Sequence, residues 1–168
     1  MIVTSAKANK ELKQRQDELN MLLMQENKSA TFVAATSEDI AVARPEYNFA
    51  TVQEKIVGIQ EEIRKIKHAI NEFNVTHKPE GFDMTVDEML VYIPQLSGMK
   101  SKYQQMANRL PKTRKENYAG RSNLIEYEYA NYEIRSAENE LEWVTEELYR
   151  AQLALDKLNT TEMFEIKL

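Results

Sequence analysis

Residues 48–74, NFATVQEKIVGIQEEIRKIKHAINEFN, place Val52, Ile56, Ile59, Ile63, Ile66, Ile70 and Phe73 at spacings of 4, 3, 4, 3, 4 and 3. An α-helix brings a side chain back to the same face every three or four positions, so the stretch reads as one unbroken apolar stripe. In heptad terms Ile56, Ile63 and Ile70 take position a, and Val52, Ile59, Ile66 and Phe73 take position d. Thr51, with Glu54 three residues on, resembles a capping box at the start. A second seam lies within 131–159, where Ile134, Ala137, Leu141, Val144, Leu148, Ala151, Leu155 and Leu158 keep the same alternation. Two such seams predict two long helices, 48–74 and 131–159, that pack along their stripes.

Two less regular helices complete the set. Thr4 or Ser5 caps a helix over 5–27 with Leu12, Leu19, Leu22 and Leu23 inward, a stripe interrupted by Arg15 and Gln16. Thr85-Val86-Asp87-Glu88 reads as a capping box opening a helix over 85–110. Its inward side carries Met89, Ile93, Leu96, Tyr103, Met106 and Leu110, and Pro111 ends it. Pro94 removes a backbone donor, which predicts a kink or break there, helped by Gly98. At 1.5 Å per residue all four helices come out at roughly 35–42 Å. Short strands are expected over 30–35, 124–129 and 163–168, the second from the alternation of Ile125, Tyr127 and Tyr129 with Glu126 and Glu128. The expected fold is mainly α: long antiparallel helices in a four-helix or coiled-coil bundle, with those strands as a small β-sheet at one end. Residues 1–168 then form a single elongated helical domain.

Composition narrows the chemistry. The 168 residues hold 22 Lys+Arg against 27 Asp+Glu, a net charge of −5, with two His and no Cys. Without cysteine there is no disulfide framework, thiolate zinc site or cysteine nucleophile. His68 falls opposite the seam and His77 in a linker, and neither follows a Glu by three residues as in carboxylate-bridged metal bundles. No Gly-rich phosphate loop or nucleophile elbow occurs. The sequence therefore nominates no catalytic residue, no cofactor and no metal ligand. The longest apolar run, Met89 to Ile93, falls far short of the ~20 residues that span a bilayer. With no apolar leader in Met1 to Leu12, the expected location is the cytoplasm and no membrane partner is expected.

Function is then expected from the seams. Isoleucine at both a and d disfavours a simple parallel pair and suits three or four helices around one axis, within a chain or shared between copies. This predicts a non-enzymatic scaffold or interaction protein, a homo-oligomer with an unidentified protein partner. Its helix-packing or oligomer seam is the 52–73 stripe together with Ile134, Leu141, Val144, Leu148, Leu155 and Leu158. Trp143, Tyr149 and Leu153 lie off that stripe and predict a second buried face on the last helix, with a partner surface as the other reading. Charge supplies a competing function. Residues 100–121 carry seven basic groups against Glu116 alone, whereas 122–168 carry eleven acidic and four basic groups. The 109–121 connector thus offers Lys112, Arg114 and Lys115 to phosphates and Tyr118 to an unpaired base, as a nucleic-acid accessory protein would.

The runs Ala69-Ile70-Asn71-Glu72-Phe73-Asn74 and Thr85-Val86-Asp87-Glu88-Met89-Leu90 resemble the middle of a bacterial group labelled septicolysin-like. In that group a helix ending in an Asn-x-x-Asn pair precedes a polar linker and a Thr-capped helix. Leu155-Asp156-Lys157-Leu158-Asn159-Thr160-Thr161 is similar to that group's ending. The resemblance implies a small helical protein of unestablished activity, with Asn71 and Asn74 as a pair that shares a role. The plainer reading is that Asn74 helps to end its helix.

Overall fold

A computed structural model describes residues 1–115 and 125–168. In chain order these form β1 (Ile2–Thr4), α1 (Ser5–Ser29), α2 (Ile40–Ala43), α3 (Phe49–Thr76), α4 (Val86–Ala107), β2 (Lys112–Arg114), β3 (Tyr127–Tyr129), α5 (Ile134–Thr161) and β4 (Met163–Glu165). Read in sequence as one domain, the chain divides into two compact units, Met1–His77 with Leu158–Leu168, and Lys78–Lys157.

In the first unit α1 and α3 run antiparallel. Ala8 shares a hydrophobic cluster with Ile66 and Ile70 near one end. Near the other, Glu26 Oε1 accepts from the Gln53 amide and from Tyr47 Oη at 2.7 Å. Midway, the Arg15 that interrupts the apolar stripe of α1 bridges the helices, its Nε lying 2.8 Å from Glu62 Oε2. Thr4 caps α1, accepting from Lys7 N. The capping box expected at Thr51 is corrected: Asn48 Oδ1 accepts from Thr51 N at 3.1 Å, so the helix starts earlier and Thr51 lies within its first turn.

A hydrophobic cluster lies beside a two-stranded sheet. Antiparallel β1 and β4 pair Val3 with Phe164. Val3, Ala8, Ile66, Ile70 and Ile166 bury together there, with Leu12, Ala69 and Phe164 packed around them. Strand alternation turns Ile2 and Met163 outward. Farther along α1 the burial thins, since Ser5 and Ala8 are its only fully buried residues. Leu23, expected inward, is exposed.

In the second unit α4 and α5 are also antiparallel. Tyr92 Oη donates to Glu147 Oε1 at 3.2 Å, and Tyr132 Oη donates to the Met106 carbonyl at 2.9 Å. Each helix buries one stripe: Val86, Met89 and Leu96 on α4, and Ala137, Val144, Leu148, Ala151 and Leu155 on α5. The capping box at α4 is complete, with Thr85 Oγ1 accepting from Glu88 N and Glu88 Oε2 accepting from Thr85 N at 2.6 Å. No break occurs at Pro94, which lies inside α4 on its exposed side. There the carbonyl that loses its partner can be solvated. The helix stops at Ala107, short of Leu110, which is exposed.

The expected sheet is corrected. Residues 30–35 form no strand, and Val33 is 96% exposed. Good strand formers do not make a strand without an edge to pair with, and here the Glu38 carboxylate takes the Ala35 N–H into a turn instead. The other two strands shorten to Tyr127–Tyr129 and Met163–Glu165, and they belong to separate two-stranded sheets with partners read in sequence as a helix lead-in and a basic connector.

Two outcomes follow for stability, both readable by urea unfolding. Ile66→Ala should cost about 2–5 kcal/mol and Val33→Ala less than about 0.5 kcal/mol. The Thr85 N–H and hydroxyl hold the Glu88 carboxyl below its ordinary range. A lowered folded-state value means that its contribution is present at neutral pH and is lost as the pH falls through that value. Glu88→Gln should therefore flatten the acid limb of the stability profile.

Candidate functional site

Burial of the seam residues decides which surfaces remain for function. Along α3, Ile56, Ile59, Ile66, Ile70 and Phe73 are buried, with Val52 and Ile63 half-buried. Along α5, Val144, Leu148, Leu155 and Leu158 are buried, with Ile134 and Leu141 half-buried. A single copy of the chain already buries most of both stripes.

The second buried face expected on α5 is absent. Trp143, Tyr149 and Leu153 are 49%, 68% and 57% exposed. Glu142 and Glu146 share this outward face, which lies opposite the buried stripe at 100° per residue. Arg135 is paired with Glu138, and Arg150 forks onto Glu147, with Nε to Oε2 and Nη2 to Oε1 both at 3.0 Å. Glu142 and Glu146 have no ion-pair partner among the described residues. The face is therefore acidic and aromatic.

Arg150 also stacks over Phe82, its guanidinium carbon 4.5 Å from the ring centre. Together with Tyr92 and Glu147 this ties the linker before α4 to α5. Burial, and then the Glu147 charge, raise the Tyr92 phenol above its ordinary value.

Within the basic connector, Lys112–Arg114 form a strand. Lys112 pairs with Tyr129, Thr113 with Glu128 and Arg114 with Tyr127. Because residues directly opposite in a sheet point to the same side, Lys112, Arg114, Tyr127 and Tyr129 share one face. Lys112 Nζ sits 3.9 Å from the Tyr127 ring centre and 5.5 Å from that of Tyr129. Glu128 falls on the reverse face with Thr113. Lys115 follows the strand, its N–H donating to the Glu126 carbonyl. Tyr118 lies outside the described residues. Sequence reading missed the two tyrosines as surface groups because their alternation with glutamates matches a strand with one buried side. Both are exposed here.

Other features carry less chemistry. Among the described residues no three His, Asp or Glu side chains converge as a metal site requires. His77 stacks on Phe73 at 4.1 Å and its Nδ1 lies 3.0 Å from the Phe73 carbonyl, closing the end of α3. Asn74 does not end that helix, which continues to Thr76. A groove of about 920 Å³ opens between α1 and α3, floored by Met21, Leu22 and Ile59 and edged by both signs of charge. Gly58 lies in its wall with nothing within 4 Å of where a Cβ would stand. No helix of the described residues is long and apolar enough to cross a membrane.

No family model and no curated protein matches the sequence. Among solved structures, the chain is similar to the crystal structure of "a functionally unknown conserved protein from Corynebacterium diphtheriae". The two are 16% identical with a TM-score of 0.60, over 98% of this chain and 100% of that one. The likeness is one of fold.

Two substitutions test this geometry. Gly58→Ala should stabilise the protein by about 0.5–1 kcal/mol, because a helical glycine is replaced without a clash. Ultraviolet titration of Tyr92→Phe should lose an alkaline component present in the wild type. The raised phenol also predicts that folding stability falls as the pH climbs from the ordinary tyrosine value towards that of Tyr92.

Proposed function

We propose that this chain is a non-enzymatic helical interaction protein that self-associates and acts as a scaffold or adaptor in the cytoplasm. The observation that supports this most is that the seams are largely buried within one chain while large side chains outside them stay exposed. The a/d stripes of α3 and α5 are mostly covered inside one chain, while Trp143, Tyr149 and Leu153 on α5 and Met21 and Met24 on α1 remain on the surface. Exposed aromatic groups on a charged background are characteristic of surfaces that bind other proteins. Within each unit we read the antiparallel helix pair as a short coiled coil, with Ile56, Ile63 and Ile70 as its a positions on α3. Membership of the septicolysin-like group is part of the same proposal and rests on the runs around Asn71, Thr85 and Leu155.

A second reading, nucleic-acid binding, is favoured by one observation: cations and exposed tyrosines occupy one face of the β2–β3 hairpin. The net charge of −5 weighs against it, since phosphates would meet a repulsive field over much of the molecule.

Sedimentation velocity over a dilution series tests the first reading. A dimer or larger species at micromolar concentration is expected, and a monomer throughout would remove self-association. For the second reading, retention on single strands at low salt should vanish when Lys112, Arg114 and Lys115 are all changed to Gln.

A further inference from the structure

The hairpin and the outer face of α5 carry opposite charge, and both expose aromatic rings. On the hairpin, Lys112 and Arg114 stand two residues apart on one strand, about 7 Å at 3.3–3.4 Å per residue. On α5, Glu142 and Glu146 stand four residues apart, about 6 Å between neighbours on one face. Neither pair is neutralised by a described residue: among these, Glu142 and Glu146 lack ion-pair partners, and so do Lys112 and Arg114. Tyr127 and Tyr129 flank the cations with ring centres 6.5 Å apart. Trp143, Tyr149 and Leu153 flank the carboxylates.

Resting on the self-association reading above, we infer that the β2–β3 hairpin of one copy docks on the outer face of α5 of a second copy. Lys112 and Arg114 meet Glu142 and Glu146, and the tyrosines pack against Trp143 and Tyr149. Association neutralises two charge pairs and removes apolar surface from water on both sides. It also accounts for two exposed features with one contact, whereas a nucleic acid would occupy the hairpin and leave the α5 face unexplained. Because the contact joins different patches, it either closes as a two-fold pair that makes it twice or extends head to tail.

Two variants separate the possibilities. Lys112→Glu with Arg114→Glu reverses the hairpin, and Glu142→Lys with Glu146→Lys reverses α5. All four side chains are exposed, so circular dichroism should report native helix content in both. Each variant alone should self-associate at least about tenfold more weakly than wild type, and an equimolar mixture of the two should recover association. Trp143 is the only tryptophan, so its fluorescence should shift to the blue as wild type or the mixture assembles, and high salt should reverse the shift. Variants that associate as tightly as wild type would overturn this interface while leaving self-association standing. A wild type that is monomeric throughout would overturn both. Retention of a monomeric wild type on single-stranded oligonucleotides, lost in the hairpin variant, would assign the hairpin to nucleic acid instead.

Discussion

Burial of the isoleucine stripe of α3 against α1 and the terminal strands organises the first unit. Ile66 and Ile70 meet Val3, Ala8 and Ile166 in a cluster whose members come from both ends of the chain. The first and last strands are held in register there, with the Met1 amino group donating to the Ile166 carbonyl. Removing apolar side chains from water is worth about 25 cal/mol per Å². A stripe of this length therefore outweighs the exposed ion pairs along the same helices, each worth only about 0–1 kcal/mol. The α5 stripe does the corresponding work in the second unit, and its Leu158 is buried in the first.

This has a consequence for function. Seams of strict heptad spacing commonly join separate chains, but here they are used within one. Contacts with other molecules are left to surfaces that the seams do not use. Those surfaces are unlike one another: a basic, tyrosine-bearing hairpin face, an acidic, aromatic face on α5, and a groove of mixed charge between α1 and α3. Under the proposed self-association, their difference in sign favours ordered contact over indiscriminate sticking.

The long helices were legible because their signal is periodic and repeated. Seven apolar positions in α3 and eight in α5 fix the helix type, and the Thr85–Glu88 box fixes the start of α4. The strands were less legible because a strand needs an edge to pair with, and pairing is a property of distant residues. Thr31-Phe32-Val33 has the composition of a strand and no strand to pair with among the described residues. Ile2-Val3-Thr4 has the same strand-forming composition and does pair, with residues at the far end of the chain that its own sequence does not point to. The hairpin face was half visible: Lys112 and Arg114 stand out as charge, but only the register puts Tyr127 and Tyr129 beside them. The outward aromatic face of α5 was read as buried because spacing alone does not reveal whether a neighbour covers it.

Hydrogen exchange at two protein concentrations tests most directly whether one chain covers its own seams. The amides of residues 66–73 in α3 and 144–158 in α5 should keep the same protection when the protein is diluted a hundredfold, roughly from a predominantly associated to a predominantly monomeric sample. Protection at those residues that collapses on dilution would mean that a second copy covers the stripes, contradicting this account.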